Sequence, residues 1–286
     1  MINVKIAVTA CVLAAAATAC SNHNEPKAKP EATSRIRTVL EQADSNTIVP
    51  LLVGDTLHVS SATVEFYRGR RWRPAWVDGD KPTEAGESIL KALSQTETDG
   101  LNPNRYRYDL VRNIAATIGA DKLGDEGEAK NGADLDILLT EAFTRYALDL
   151  SQGTLNPDSS GLKWRIPRGA MPKRNLLRAL QRGASAEELV ARIRPVVPQY
   201  GRLANVLQRL EKVRVSGGWP TVPEGKAAKG DSSDVVVALR QRLARSEDPR
   251  EVAYARRGEA RAAYYDADLY LALQHFQQRH GIDSDG

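Results

Sequence analysis

Apolar residues recur at three- and four-residue steps along most of the chain, a spacing that predicts amphipathic helices. The clearest case lies in residues 134–153, where one predicted face carries Leu135, Leu138, Leu139, Ala142, Phe143, Tyr146 and Leu150. Gly153 is the predicted stop of this helix. Alternating strand patterns are short and scarce, and residues 48–54 are one weak candidate. We therefore predict an all-α fold.

Three other segments combine helical spacing with signals for their ends. Pro82 and Thr83 start a helix that should bury Ile89, Leu90 and Leu93 and end at Gly100. Ser185 and Glu188 have the spacing of a capping box, in which each side chain satisfies a free backbone amide of the other residue. Residues 198–214 place further apolar side chains on one face, which we expect to be buried: Leu203, Val206, Leu207 and Leu210.

Residues 215–231 form the clearest boundary, because they are rich in glycine and contain Pro220 and Pro223, so no helix can run across them. Residues 48–214 are predicted to form a helical domain. Residues 232–286 should form a small domain of two or three helices, near the lower size limit for independent stability. Its first helix is predicted to be capped by Asp231 or Ser232, and a polar loop should follow. Its last helix should run from about residue 266 to 280 with three residues inward: Leu269, Leu273 and Phe276.

The first nineteen residues read as a secretory signal peptide: a lysine, an apolar run and then small residues. Residues 17–20, Ala-Thr-Ala-Cys, fit an ordinary signal-peptidase cut and also resemble a bacterial lipobox. Both alternatives cut before Cys20, and they differ in whether Cys20 is then acylated. The lipoprotein is favoured, since an exported protein seldom keeps a single unpaired thiol. Ser21 favours the outer membrane over the inner one, and residues 20–47 are predicted to be a tether.

Composition and charge narrow the possible functions. Two cysteines and four histidines in 286 residues exclude a disulfide framework and a cysteine-rich zinc site. The formal net charge is +4, but residues 163–214 contain thirteen Lys or Arg residues and only three Glu. This segment is either an ordinary solvated face or a surface for an anion. The export signal excludes nucleic acid, which leaves lipid headgroups or the carboxylates of peptidoglycan stem peptides.

The order of several motifs resembles the large periplasmic L,D-transpeptidases of the YcbB type. Residues 66–106, with Pro-Ala-Trp and then Asp-Gly-Leu-Asn-Pro, look like the opening of their scaffold domain, and residues 135–157 look like its next helix. Trp164 is similar to a tryptophan that follows there. The Gly-Gly-Trp-Pro start of residues 217–243 is similar to the junction before a peptidoglycan-binding domain of the three-helix type. Residues 264–286 look like the last helix of that domain. The resemblance covers about residues 48 to 286.

The resemblance implies a region that binds and positions peptidoglycan, in a parent protein that cross-links the cell wall. The family's catalytic domain carries a histidine and then a Ser/Thr-His-Gly-Cys stretch, and this chain has no such stretch. We therefore expect the chain itself to be non-catalytic and its peptidoglycan-binding domain to be C-terminally incomplete. Two alternatives stay open: a lipoprotein adaptor that recruits a cell-wall synthase through its basic scaffold face, or a gene fragment without a working fold.

Candidate ligand-binding residues lie in and just before the small domain: Trp219, Tyr265, Tyr270 and His275. Aromatic rings stack on sugars, although packing roles for Trp219 and the tyrosines are also possible. Tyr270 lies off the inward stripe of the last helix, which favours a groove position. His275 and His280 are five residues apart and point about 140° from each other on a helix, so we predict no metal site. No cofactor is predicted; the expected partners are peptidoglycan, a membrane held through the lipid anchor, and a cell-wall synthase.

Overall fold

The structure, a computed structural model, describes residues 28–43, 48–52, 54–79, 81–118, 124–155 and 172–286. These residues contain eleven α-helices and two small antiparallel sheets, which confirms the all-α class. The helices are α1 Pro30–Glu41, α2 Ser61–Gly69, α3 Glu84–Ser94, α4 Tyr108–Thr117, α5 Gly124–Gln152, α6 Lys173–Gln181, α7 Ala186–Ile193, α8 Pro198–Val215, α9 Asp234–Leu243, α10 Pro249–Arg257 and α11 Ala267–Arg279. Strand β1 (Ile48–Pro50) pairs with β2 (Thr56–His58), and β3 (Val77–Asp78) pairs with β4 (Lys81–Pro82).

The 29-residue helix α5 is the centre of the first hydrophobic core. The predicted apolar stripe is buried, and Gly153 follows the helix with a φ of +78°. The opposite face is also buried, which the apolar stripe alone did not predict. It carries Asp134, Asp136, Thr140 and Glu141, which have hydrogen-bond partners in the surrounding segments, and Thr144, which donates to carbonyls within α5. Helices α1, α3, α4, α6 and α7 all pack against α5.

Asp136 shows how a carboxylate can lie inside this core. Its oxygens accept hydrogen bonds from the backbone amides of Ala75, Trp76 and Val77 at 2.6–3.0 Å and from the Tyr67 hydroxyl at 2.5 Å. Burial raises the pKa of Asp136, although these hydrogen bonds oppose the rise. The donors satisfy a group that would otherwise be costly to bury, and they fix the chain just before β3 against α5.

The predicted tether is wrong over residues 30–43. This segment forms α1 and its end, and Ile36 and Leu40 are fully buried against the first core. Arg35 also donates from Nε to Asp134 at 2.8 Å, so α1 is held to α5 by an ion pair as well as by apolar contact. The segment looked unstructured because its outer face is polar and it begins at a proline, which is tolerated in the first turn of a helix.

The predicted helix starts are confirmed in α3 and α7. The Thr83 hydroxyl accepts from the backbone amide of Gly86, and Ser185 and Glu188 form the expected capping box. The predicted end of α3 at Gly100 is wrong. The α-helix ends at Ser94, and a 3-10 helix, Thr96–Asp99, leads to Gly100 in the left-handed region at φ +73°.

The buried stripe predicted for α8 is also wrong. No residue of α8 is buried, and Leu203 is 69% exposed. Among the described residues, α8 packs mainly against the 3-10 helix Thr96–Asp99. Helical spacing identified the helix correctly, but the neighbours needed to cover its apolar face are missing from the described part of the fold.

Residues after the glycine-rich junction build a second, separate core from α9, α10 and α11: Val236, Leu243, Ala255, Tyr265, Leu269 and Ala272. The cap of α9 is Ser233, rather than Asp231 or Ser232. The predicted polar loop contains α10, whose N-cap Asp248 accepts from the amide of Arg250. Leu269 is fully buried, as predicted, whereas Leu273 and Phe276 pack half-buried at the edge of the core.

Candidate functional site

The four predicted ligand-binding side chains do not meet in one groove. Trp219 packs beside the C-terminal end of α9. Tyr265 lies inside the second core, and Tyr270 and His275 leave α11 in different directions. The separation follows from helix geometry, because Tyr270 and His275 are five residues apart on α11 and hence about 140° apart around it.

Tyr265 is excluded as a direct ligand contact in this conformation, because its side chain is fully buried. Its hydroxyl has no hydrogen-bond partner among the described residues. Burial raises the pKa of Tyr265 to about 12, with smaller contributions from the nearby Tyr270 and Asp285. The sequence placed Tyr265 next to the helix; only the packing of that helix put its ring in the core.

Trp219 anchors the junction to the second core. Its indole Nε1 donates to the carbonyl of Arg245 at 3.2 Å, and the Arg242 guanidinium lies 5.1 Å from its ring centroid. Arg242 also lies 5.5 Å from the ring of Phe276, so the guanidinium sits between two aromatic rings. Trp219 remains 37% exposed, which leaves part of the ring open to solvent.

His275 belongs to a small stacked group on the α10–α11 surface. Its ring lies 5.9 Å from that of Tyr254 at an interplanar angle of 13°, and Arg257 lies 4.9 Å from the Tyr254 ring. Both rings are half-buried. Flat, partly exposed aromatic faces with a nearby cation suit sugars or peptides better than metal ions. Among the described residues, no group of three or more His, Cys, Asp or Glu side chains could hold a metal ion.

Tyr270 lies on the other side of α11. Lys229 is 5.5 Å from its ring centroid, and its hydroxyl accepts from Nε2 of Gln274 at 3.0 Å. The last residues of the chain cover this ring: a Cβ added to Gly286 would lie 2.1 Å from it. Tyr270 is half-buried, so its accessible edge is smaller than the sequence suggested.

Asp99 organises a polar cluster to which sequence reasoning assigned no role. It accepts from Arg194 Nε at 2.7 Å, Arg194 Nη2 at 2.9 Å, and the hydroxyls of Tyr146 and Tyr200 at 2.6 Å each. Burial would raise the pKa of Asp99, but these hydrogen bonds outweigh it and lower the pKa below its ordinary value. The cluster joins α5, α7 and α8, so it positions the end of the first domain. Its only sequence signal was an aspartate before the left-handed Gly100.

Several predictions fall outside the described residues: the signal peptide, Cys20, the tether up to residue 27, and Trp164. Elsewhere, none of the described helices combines the length and the apolar character needed to cross a bilayer.

A family model described as the Scaffold domain matches residues 61–207, about half of the chain, and the chain therefore belongs to this family. The matched region starts at α2, contains the Asp136 and Asp99 clusters, and ends within α8. Comparisons with curated proteins and with solved structures find no match to the chain.

Proposed function

We propose that this chain binds peptidoglycan and positions it for cross-linking by an L,D-transpeptidase. The observation that carries the proposal is the separately cored three-helix unit that follows the Scaffold domain. The motif order described above supports it, since Gly-Gly-Trp-Pro stands at the junction between these two parts. The proposed location is the periplasm, with the protein held at the outer membrane by acyl chains on Cys20. A Cys20→Ala variant that stays in the membrane fraction would contradict this anchor.

The contact surface of the proposed binding unit consists of His275 with Tyr254 and of the exposed part of Trp219. Stacked rings offer apolar faces to the CH groups of sugars, while Arg257 and Arg242 lie close enough to bond to carboxylates or amides. Contacts through such shallow faces keep bridging water and give moderate affinity. Firm attachment would therefore need several protein molecules to bind along the many repeats of the polymer.

Sedimentation with isolated sacculi tests the proposal. The purified protein should move to the pellet with sacculi and stay in the supernatant without them. Trp219→Ala and His275→Ala should each lower the bound fraction. Tyr264→Ala is the matched control, because Tyr264 is also an exposed aromatic residue, at 39%, but its ring has neither an aromatic nor a cationic side chain against it among the described residues. Equal sedimentation with and without sacculi would refute binding.

An adaptor that recruits a cell-wall synthase is the second candidate function, and the exposed face of α8 favours it. Leu203 is 69% exposed and Val215 is 72% exposed, with the exposed cations Arg202 and Arg209 on the same helix. Such a surface fits an amphipathic partner segment with acidic flanks. A photo-crosslinking residue at position 203 should then capture one synthase in cells, while the same group at exposed Thr117 should not. Absence of any protein adduct at position 203 would refute the adaptor.

A further inference from the structure

A cleft of about 1030 Å³ lies between α2 and α6. Helix α2 contributes Glu65 and Phe66, and α6 contributes Lys173, Arg174 and Arg178. Arg70 lies at the end of α2 and completes the wall. The cleft belongs to the Scaffold domain and is separate from the aromatic surfaces of the second core.

Among the described residues, four cationic side chains and one carboxylate line the cleft, so this part of its lining is positively charged. Arg174 uses Nη2 to contact Glu65 Oε2 at 3.0 Å, and both side chains remain more than half exposed. Lys173 and Arg178 have no carboxylate partner among the described residues. Two cations in this cleft are therefore available to an external anion, and they need not break an ion pair to bind it.

The other wall of the cleft is already ordered. Arg70 donates from Nε to the Arg73 carbonyl at 3.2 Å and from Nη2 to the Pro74 carbonyl at 2.7 Å, and its guanidinium lies 5.8 Å from the Phe66 ring. Phe66 in turn stacks on the buried Trp76, with ring centroids 5.6 Å apart and an interplanar angle of 9°. A ligand would meet an apolar surface on α2 that is already held in place, which reduces the ordering required on binding.

We propose that this cleft binds a short peptide that carries free carboxylates. Lysine and arginine form charge-assisted hydrogen bonds with carboxylates, and the amides of Asn175 and Gln181 can pair with a peptide backbone. The volume is at the upper end of the range for small-molecule pockets, which suits several linked residues better than a single ion. This inference rests on the proposed function, which supplies the ligand class: the stem peptide of peptidoglycan. The Scaffold domain would then hold the peptide, while the second core holds the polymer.

Isothermal titration with two synthetic tetrapeptides tests the inference, using the purified protein. One peptide has two free carboxylates, and the other is the same peptide with both amidated. We expect the free acid to bind at least about tenfold more tightly, because each lost charge-assisted contact corresponds to about a tenfold change in affinity. Lys173→Gln with Arg178→Gln should remove most of the binding.

The matched control carries Arg202→Gln and Arg209→Gln, two exposed cations of α8 that lie outside the cleft. It changes the net charge equally and should leave peptide affinity within about twofold, since distant surface charges are screened by salt. Equal weakening by both double variants would overturn the inference, because binding would then be a general attraction. Full competition by inorganic phosphate at the peptide's own concentration would also overturn it.

The two proposals can fail separately. If sacculi retain the protein but neither peptide binds, the cleft inference is wrong and the proposed function stands. If the peptide binds through Lys173 and Arg178 but sacculi do not retain the protein, binding to the polymer is wrong, while the cleft remains a carboxylate site.

Discussion

Replacing Asp99 with alanine should release α8 from the first domain. The Asp99 side chain is 3% exposed and accepts four hydrogen bonds, two from Arg194 and one each from Tyr146 and Tyr200. Helix α8 has no buried residue of its own and packs mainly against the 3-10 helix that ends at Asp99. The cluster is therefore the principal attachment of α8 among the described residues.

The size of the destabilisation follows from the side chains that would lose Asp99 as their hydrogen-bond acceptor. Tyr146 is fully buried and would lose its acceptor, which costs about 1–3 kcal/mol in the free energy of unfolding. Arg194 is 35% exposed, so water can replace part of its lost pair and its contribution is smaller. Tyr200 is half-buried and can also be solvated. We expect a total loss of about 3 kcal/mol in the free energy of unfolding of the first domain, within the range for broken buried pairs.

Urea unfolding followed by circular dichroism measures the loss, and amide hydrogen exchange shows where it falls. Exchange in α8 should accelerate strongly, while the centre of α5 should keep its relative protection. Asp109→Ala is the matched control: Asp109 pairs with Arg112 at 3.5 Å with both side chains more than 60% exposed, so its removal should cost less than about 0.5 kcal/mol. Equal effects of the two substitutions, or unchanged exchange in α8, would refute the reasoning.

Three further predictions concern pH and the second core. The folded pKa of Asp99 lies below its ordinary value of 3.8, so its stabilising contribution should be complete above pH 3.8 and lost as the pH falls through the folded pKa. The difference in unfolding free energy between the wild type and Asp99→Asn should therefore shrink in acid. A difference that grows in acid would contradict this prediction. Arg240 is 2% exposed and donates to three backbone carbonyls and to Asp266. Arg240→Met should therefore lower the free energy of unfolding of the second core by about 3 kcal/mol. A loss under about 1 kcal/mol in calorimetry would show that these hydrogen bonds do not stabilise the core. Tyr265→Phe removes a buried hydroxyl that has no hydrogen-bond partner among the described residues, so the free energy of unfolding should stay the same or rise by up to about 1 kcal/mol. A clear loss in the same experiment would contradict this, because it would mean that the hydroxyl is hydrogen-bonded.

Residues with local partners were predictable from the sequence. The caps at Thr83 and Ser185 depend on amides within the next three residues, so a short sequence window contains the whole interaction. The stripe of α5 was also readable, because apolar spacing repeats within a single helix. The environment of the candidate ligand residues depended on long-range packing instead, and for this reason Tyr265, a candidate ligand contact, was found in the core.

The incorrect predictions for α1 and α8 also result from long-range packing. Helix α1 was missed because its stability comes from burying Ile36 and Leu40 against a helix about a hundred residues away. The exposure of α8 could not be predicted either, because spacing identifies an apolar face without identifying what covers it.

The sequence by itself determined the helical class, the glycine-rich junction, the capped helix starts and the concentration of positive charge before the junction. These properties depend on backbone preferences and on residues within one or two turns of each other. Only the tertiary structure decided that Asp99 joins three helices, that Lys173 and Arg178 share a cleft with α2, and that the four aromatic candidates separate. Those arrangements join residues tens of positions apart, and their energies come from burial and pairing that exist only once the chain has folded.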